Sequence, residues 1–364
     1  MINKINLQQT FDRFLSFYER RLSGGILAAI YPAPVGGGQV DVGETRTRGC
    51  LLLEDLEGCR RRVGNQDISE WSSDIIPAVY PTGNFGESIW SGLLGGEIIF
   101  SGNNVHTWSH CSKPVIQSVE AFNYPEIKTD NFWFGKMLEV TAYFTSHLPP
   151  NCDVNHFIFD DCLNLLVELR GAQNAYTDLY DYPDFVRKFM DWSVRENIRV
   201  FDAQAKISRN FVRDAFGGHP VFKYATCNMP EISIDAYNLC RPEVYEEFGL
   251  EHHQKLVEHY GGAKLHIHSN GRHLCRLAAS NDRITYCSFT EDIGFQKPWE
   301  IVAELKESMD PIPIRVTMPK EVFVKKLDER SLPGGVFYLV PGAESVKAAN
   351  ELMRRVFDYH SPNP

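Results

Sequence analysis

The chain of 364 residues contains no long hydrophobic run. No stretch approaches the ~20 consecutive apolar residues that a membrane-spanning helix needs. The start, MINKINLQQTFDRFLSFYERR, also lacks the apolar centre and the small-residue cleavage site of a signal peptide. These absences predict a cytoplasmic protein with no membrane partner. The spacing of apolar residues in this first segment predicts an amphipathic helix.

Basic residues are too few for nucleic-acid binding to be expected. Lys and Arg number 37 against 47 Asp and Glu, which gives a formal net charge of −10 at pH 7. A protein that binds nucleic acid gains much of its affinity by neutralising phosphates with Lys and Arg. The charge balance therefore argues against a nucleic acid partner.

The cysteines lack the spacing of a disulfide framework or a zinc ribbon. There are nine, an odd number, and no two of them form a Cys-x-x-Cys pair. This pattern argues against disulfides and selects no cysteine as a metal ligand. The sequence also lacks internal repeats and low-complexity linkers, so we expect a single domain over residues 1–364.

What the sequence does contain is an alternation of strand and helix candidates, most regular over residues 151–364. The strand candidates are GILAAIY, NHFIFDD, HPVFKYATC, AKLHIH, RITYCSF, IPIRVTM and GVFYLVP. Helical segments separate them, and EISIDAYN is interpreted as a loop. Residues 1–150 form an N-terminal part that is helical and rich in loops.

Strands that alternate with helices predict parallel βαβ units. Seven or eight strands favour a (β/α)8 TIM barrel with an elaborated N-terminal segment. An open doubly wound sheet is the alternative, and it usually carries a Gly-rich phosphate loop after its first strand. GGGQ at residues 36–39 does not have the G-x-G-x-x-G pattern, so the barrel is preferred.

The segment AKLHIHSNG places two histidines one residue apart at the end of a strand candidate. Residues two apart in a strand point to the same face, so His266 and His268 share a side with Lys264. The turn Ser269–Gly271 follows at the carboxyl end of the strand, where barrel enzymes have their active sites. The two imidazoles are therefore predicted to line a site, although a single histidine on an apolar element is usually a core residue. A catalytic zinc site needs a third protein ligand.

Several segments of the chain resemble the uroporphyrinogen decarboxylase superfamily, which includes cobalamin-dependent methyltransferases. They are ELRGAQNAYTDLYDYPDFVRKFM, ISIDAYNLCRPEVYEEFGLEHHQKLVE, LHIHSNG and GGVFYLVPGAESVKAANELMRRVFDY. The resemblance spans nearly the whole chain and is strongest from about residue 150 onward. It implies a (β/α)8 barrel with the site at the carboxyl ends of the strands.

The resemblance implies two chemistries. The decarboxylases use an N-terminal Arg-x-x-Gly-Arg-x-Pro motif and no metal, but ERRLSGGILAAIYPAP stands in that region. The methyltransferases hold zinc with a His and two Cys, and their methyl group travels on a corrinoid carried by a partner protein. His266 matches the family histidine, His268 takes the place of the first cysteine, and residues 341–343 contain no cysteine. The metal site is then altered or absent, and Glu344 or Asp235 could supply a carboxylate.

Three functions remain open from these residues. In methyl transfer, a zinc ion held by His266, His268 and Glu344 would activate a small substrate, with an oxygen substrate favoured by the harder ligands. In metal-free decarboxylation, one of the two histidines would act as a general acid and Asp235 would hold a charge or a proton. In the third, the chain is a binding component of a corrinoid system without turnover.

Further residues are candidates for substrate binding, each with a plainer alternative. Asn270 lies in the turn after the His-x-His strand. Glu291, in the pair Glu291-Asp292 after the next strand, would lie on the same rim or in a solvated loop. Arg170 would reach the substrate or cap a helix end. Trp90 would wall an apolar pocket or belong to the core.

Overall fold

A computed structural model describes most of the chain. The described residues are 4–22, 24–32, 50, 53–64, 69–80, 82, 85–86, 88–102, 107–149, 152–156, 159–160 and 162–362. The Gly-rich segment GGGQ lies outside them.

The described part of the chain alternates strands and helices. The strands are β1 Leu27–Pro32, β2 Ala78–Val79, β3 Ile98–Gly102, β4 Thr107–Cys111, β5 Asp153–Val154, β6 Phe159–Asp160, β7 Glu231–Ser233, β8 Ala263–His268, β9 Ile284–Thr290, β10 Ile314–Thr317 and β11 Val336–Ala343. The α-helices are Leu7–Tyr18, Leu56–Gly64, Ile89–Leu93, Phe132–His147, Cys162–Arg170, Ala172–Asp181, Pro183–Ala215, Pro242–Phe248, Leu250–Tyr260, Cys275–Ala278, Val302–Met309, Lys320–Asp328 and Val346–Phe357. Short 3-10 helices cover Pro220–Tyr224, Asp235–Leu239, Ser269–Leu274 and Pro298–Ile301. Within the described ranges, no helix combines the length and apolarity required to cross a membrane.

The central element is a parallel sheet of seven strands in the order β1-β11-β10-β9-β8-β7-β6. A separate parallel pair joins β2 to β5, and β3 and β4 form an antiparallel hairpin. From β6 to β11 the strands lie side by side in the order in which they occur in the chain, and β1 lies next to β11. This is the order of strands in a TIM barrel. The described ladders do not form a closed ring, however, because none of them joins β1 to β2 or β5 to β6. The fold is therefore mixed α/β and resembles a TIM barrel.

Two predicted elements were wrong. HPVFKYATC was predicted as a strand, but it contains the 3-10 helix Pro220–Tyr224. The side chain of His219 accepts a hydrogen bond from the Val221 backbone N–H at 3.1 Å, which caps this helix. EISIDAYN was interpreted as a loop, but it supplies β7, which pairs with β6 and β8. In both cases tertiary pairing, rather than β propensity, decided which residues became a strand.

The N-terminal helix closes the end of the sheet at which the strands begin. Its aromatic residues are buried against residues near the starts of the strands. Phe14 packs edge-on against Phe337 of β11 at 5.3 Å between ring centroids, and Tyr18 stacks on Tyr286 of β9 at 5.9 Å. Burial of one side chain of this size stabilises the folded state by about 2 kcal/mol. The opposite end, where the strands finish, is left for the site.

Candidate functional site

The two histidines of β8 face one another at the carboxyl end of the strand. Their ring centroids are 4.9 Å apart and the ring planes are nearly perpendicular. His266 lines a cavity of about 570 Å³, and the side chain of His268 is partly exposed. The alternation of side chains along β8 produces this shared face.

Asp235 completes a cluster of three potential ligands. It is the first residue of the 3-10 helix that follows β7, and its Oδ2 lies 3.6 Å from Nε2 of His268. One ligand atom from each of Asp235, His266 and His268 lies within 4.8 Å of the others. The other carboxylate oxygen of Asp235, Oδ1, is buried and has no hydrogen-bond partner. The three residues form a possible metal site.

Asp292 orients one of the two imidazoles. Its Oδ1 lies 2.8 Å from Nδ1 of His268, and its Oδ2 accepts a hydrogen bond from the backbone N–H of Asn270 at 3.2 Å. Burial raises the pKa of Asp292, but the hydrogen bond from His268 and those from backbone groups outweigh it, and the pKa lies below its usual value. An ionised Asp292 holds the proton of His268 on Nδ1. Nε2, which carries the lone pair in that tautomer, lies 3.6 Å from Oδ2 of Asp235.

His266 is held in its neutral form. Burial lowers the pKa of His266 below the ordinary value for histidine, and the negative charge of Asp235 opposes this shift only in part. Its Nε2 lies 3.5 Å from the hydroxyl of Thr290. A neutral imidazole can donate its lone pair to a metal ion or accept a proton.

The structure separates the other predicted residues from this cluster. Glu344 is exposed and its carboxylate pairs with Lys320. Of the two carboxylates considered as a third ligand, Asp235 is the one that lies beside the two histidines. Glu291 forms an ion pair with Lys297 at 2.9 Å. Its neighbour Asp292, the other member of the predicted pair, makes the contact to His268. The only sequence signal for Glu291 and Asp292 was their position directly after a predicted strand.

Arg170, Trp90 and Asn270 make contacts with other parts of the protein or are buried in it. Arg170 forms an ion pair with Asp178 at 2.9 Å and donates hydrogen bonds to the carbonyl oxygens of Ile116 and Gln117. Trp90 is fully buried in the core. Asn270 supports Asp292 through its backbone, and its side-chain Oδ1 is buried without a hydrogen-bond partner.

Comparison with known proteins identifies a structural relative. No protein-family model and no curated protein sequence matches this chain. Among solved structures, a methyltransferase from Methanosarcina mazei matches with a TM-score of 0.60 and 12% sequence identity. The match covers 96% of this chain and 98% of that chain. The chain therefore shares the overall fold of that protein along nearly its whole length.

Proposed function

We propose that this chain is a metal-assisted methyltransferase of the uroporphyrinogen decarboxylase superfamily. It would move a methyl group between a small oxygen-bearing substrate and a corrinoid carried by a partner protein. The cluster of Asp235, His266 and His268 carries the proposal, because it gathers three ligands at the carboxyl ends of two neighbouring strands. The shared fold with a methyltransferase supports it. We also propose that the strands close into a complete (β/α)8 barrel.

The residues fit a zinc ion. Catalytic zinc sites use three protein ligands, often two histidines and a carboxylate, and keep one position open. Ligating histidines usually donate their second ring N–H to a carboxylate, which is the arrangement of His268 and Asp292. The unpartnered Oδ1 of Asp235 is a further buried oxygen that a cation would satisfy.

A zinc ion bound here would supply Lewis acidity and lower the pKa of a substrate hydroxyl. His266 and His268 would hold their neutral lone pairs towards it, and Asp235 would add a negative charge. Asp292 would keep the ring of His268 in one orientation and one tautomer. In one direction the substrate hydroxyl would lose its proton to solvent, and its oxygen would bond to the methyl carbon as the bond between that carbon and the corrinoid breaks and its electron pair stays on the corrinoid. In the other, the oxygen keeps the bonding electron pair as the methyl group leaves, and it is then protonated.

A metal-free decarboxylase is the second candidate, and the hydrogen bond between His268 and Asp292 favours it. A histidine paired with a carboxylate can hold and release a proton near neutral pH. In this case His268 would protonate the carbon from which carbon dioxide departs, and Asp235 would stabilise positive charge. A binding component without turnover is the third outcome.

Metal content distinguishes these candidates. We expect near-stoichiometric zinc in the purified protein by inductively coupled plasma mass spectrometry, and its loss from the His266→Ala, His268→Ala double variant. Asp292→Asn should retain the ligands but weaken zinc binding about 10- to 100-fold in a competition titration, because the support of His268 is lost. Glu291→Gln is the matched control, since this neighbouring carboxylate pairs with Lys297 instead.

The outcomes separate clearly. No metal in the wild-type protein would remove the methyl-transfer proposal and favour the decarboxylase. Iron in place of zinc would contradict the zinc assignment, since two histidines and a carboxylate also suit ferrous iron. Equal zinc affinity in the Asp292→Asn and Glu291→Gln variants would refute the role of Asp292.

A further inference from the structure

One arginine lies in the same layer of the sheet as the first histidine of the cluster. His266 on β8 pairs with Ser288 on β9, and Ser288 pairs with Arg315 on β10. Paired residues in a parallel sheet point to the same side, and His266 and Arg315 both line the cavity. Neighbouring strands are ~4.8 Å apart, so the Cα atoms of these two residues are roughly 10 Å apart.

The guanidinium of Arg315 is incompletely satisfied. Its Nε and Nη2 both donate to the single hydroxyl of Ser288, at 3.0 Å and 2.6 Å, and the group lies 5.6 Å from the ring centroid of Tyr286. In the described part of the chain, Nη1 makes no hydrogen bond and no carboxylate lies within 4.0 Å of the guanidinium. One edge of the group therefore remains available towards the cavity.

The charges around Arg315 do not replace a direct partner. Glu231 and Lys264 line the same cavity one layer nearer the starts of the strands, in register with each other, and the negative charge of Glu231 acts on Arg315 from a distance. Asp74 also lines the cavity, but Arg13 already holds both of its oxygens, at 2.8 Å each. A charged group inside a protein is costly without a counter-ion that also makes hydrogen bonds. A planar guanidinium meets this need best with a carboxylate, through two parallel hydrogen bonds.

We propose that Arg315 binds a carboxylate of the substrate and determines specificity for short hydroxy acids. The carboxylate would lie against the free edge of the guanidinium, and the hydroxyl at the other end of the molecule would reach the cluster at His266. This inference rests on the proposed function only for the hydroxyl end. The binding of the carboxylate by Arg315 does not depend on a metal.

Two probes of similar size test the proposal. Binding of 3-hydroxypropionate and of the uncharged 1,3-propanediol would be measured by ligand-observed NMR titration on the purified protein. We expect the wild-type protein to bind the acid at least about tenfold more tightly, because the charged partner of a hydrogen-bonded pair is worth that much or more. Arg315→Met should abolish the preference, and Arg315→Lys should keep part of it.

The controls separate a binding role from a folding role. Arg276→Met removes an exposed arginine and should keep the full preference. Circular dichroism and zinc content of the Arg315 variants should equal those of the wild type. An unchanged preference in Arg315→Met, or no preference or no binding in the wild type, would overturn the inference. A preference that depends on Arg315 in a protein that binds no zinc would leave the inference standing and remove the proposed function.

Discussion

At the scale of single residues, burial divides the histidines into two groups. His266 and His268 are partly exposed, whereas His156 and His253 are almost completely inaccessible to solvent. One nitrogen of His156 bonds to Ser208 and one of His253 bonds to the hydroxyl of Tyr245. Desolvation lowers the pKa of both buried rings to about 3. His253 lies in the helix Leu250–Tyr260, which is rich in charged residues, and the packing of that helix buries the ring.

These two buried histidines predict acid sensitivity. The pKa of each ring in the folded state is about 3 and lies below its value in the unfolded state. As the pH falls, the unfolded state therefore binds a proton on each ring that the folded state does not bind. Stability is therefore complete above the unfolded pKa and is lost as the pH falls towards the folded pKa. Between pH 7 and pH 5, the free energy of unfolding should fall by about 2 kcal/mol for each ring.

The His253→Gln variant isolates one ring. Urea unfolding at the two pH values should show a decrease that is smaller by about 2 kcal/mol than in the wild type. The exposed His360→Gln variant controls for the loss of a histidine as such. Identical pH dependence in the wild type and His253→Gln would rule out this account.

At the scale of elements, two 3-10 helices hold the ligands of the cluster in place. Asp235–Leu239 carries Asp235, and Ser269–Leu274 follows directly after His268. They contact each other at Gly271 and Asn238. A Cβ atom at this glycine would lie 1.9 Å from Oδ1 of Asn238, a side chain that is almost buried. The absence of a side chain at Gly271 therefore allows the two ligand-bearing segments to approach.

We expect Gly271→Ala to separate these segments. The variant should lose about 1–3 kcal/mol of unfolding free energy, as overpacked sites do, and it should bind zinc more weakly in a competition titration. Combining it with Asn238→Ala should restore part of both, because the clashing amide is removed. Gly135→Ala, at a helical glycine with open space around it, should be neutral or slightly stabilising. Wild-type zinc affinity in Gly271→Ala would contradict this role.

At the scale of the whole molecule, the segment before β2 meets β1 through a few strong contacts instead of a ladder. The carboxylate of Asp74 is completely buried and receives two bonds from Arg13 and one from the backbone N–H of Ala28. The backbone N–H of Asp74 donates to the carbonyl oxygen of Ala28, and the hydroxyl of Ser73 donates to the carbonyl oxygen of Ile30. These contacts join the N-terminal helix, β1 and the segment before β2.

Removing the central carboxylate should weaken the whole fold. Asp74→Ala leaves the guanidinium of Arg13 without its buried partner, and we expect a loss of about 3–5 kcal/mol of unfolding free energy in urea. Glu247→Ala removes the carboxylate of an exposed pair with Arg187 and should change stability by about 1 kcal/mol or less. Similar losses in the two variants would show that Asp74 has no special role.

The sequence alone predicted much of the fold, because the relevant signals are local. Strands β1, β8, β9, β10 and β11 occur where apolar runs predicted them, and proline and glycine mark several helix ends. The chain after β6 departs from prediction at HPVFKYATC and EISIDAYN, where short segments of similar composition became a helix and a strand. Composition cannot distinguish these because pairing with distant strands decides between them.

The candidate site was likewise predicted only in part from the sequence. The sequence by itself determined that His266 and His268 share one face near the end of a strand, since side-chain alternation is a property of each strand alone. Only the tertiary structure decided that Asp235 lies beside them and that Asp292 supports His268 from 24 residues away. It also decided that Arg315 lies in the same layer of the sheet as His266. These choices depend on the register between strands. Register is set by the packing of the whole sheet, which no single segment of the sequence contains.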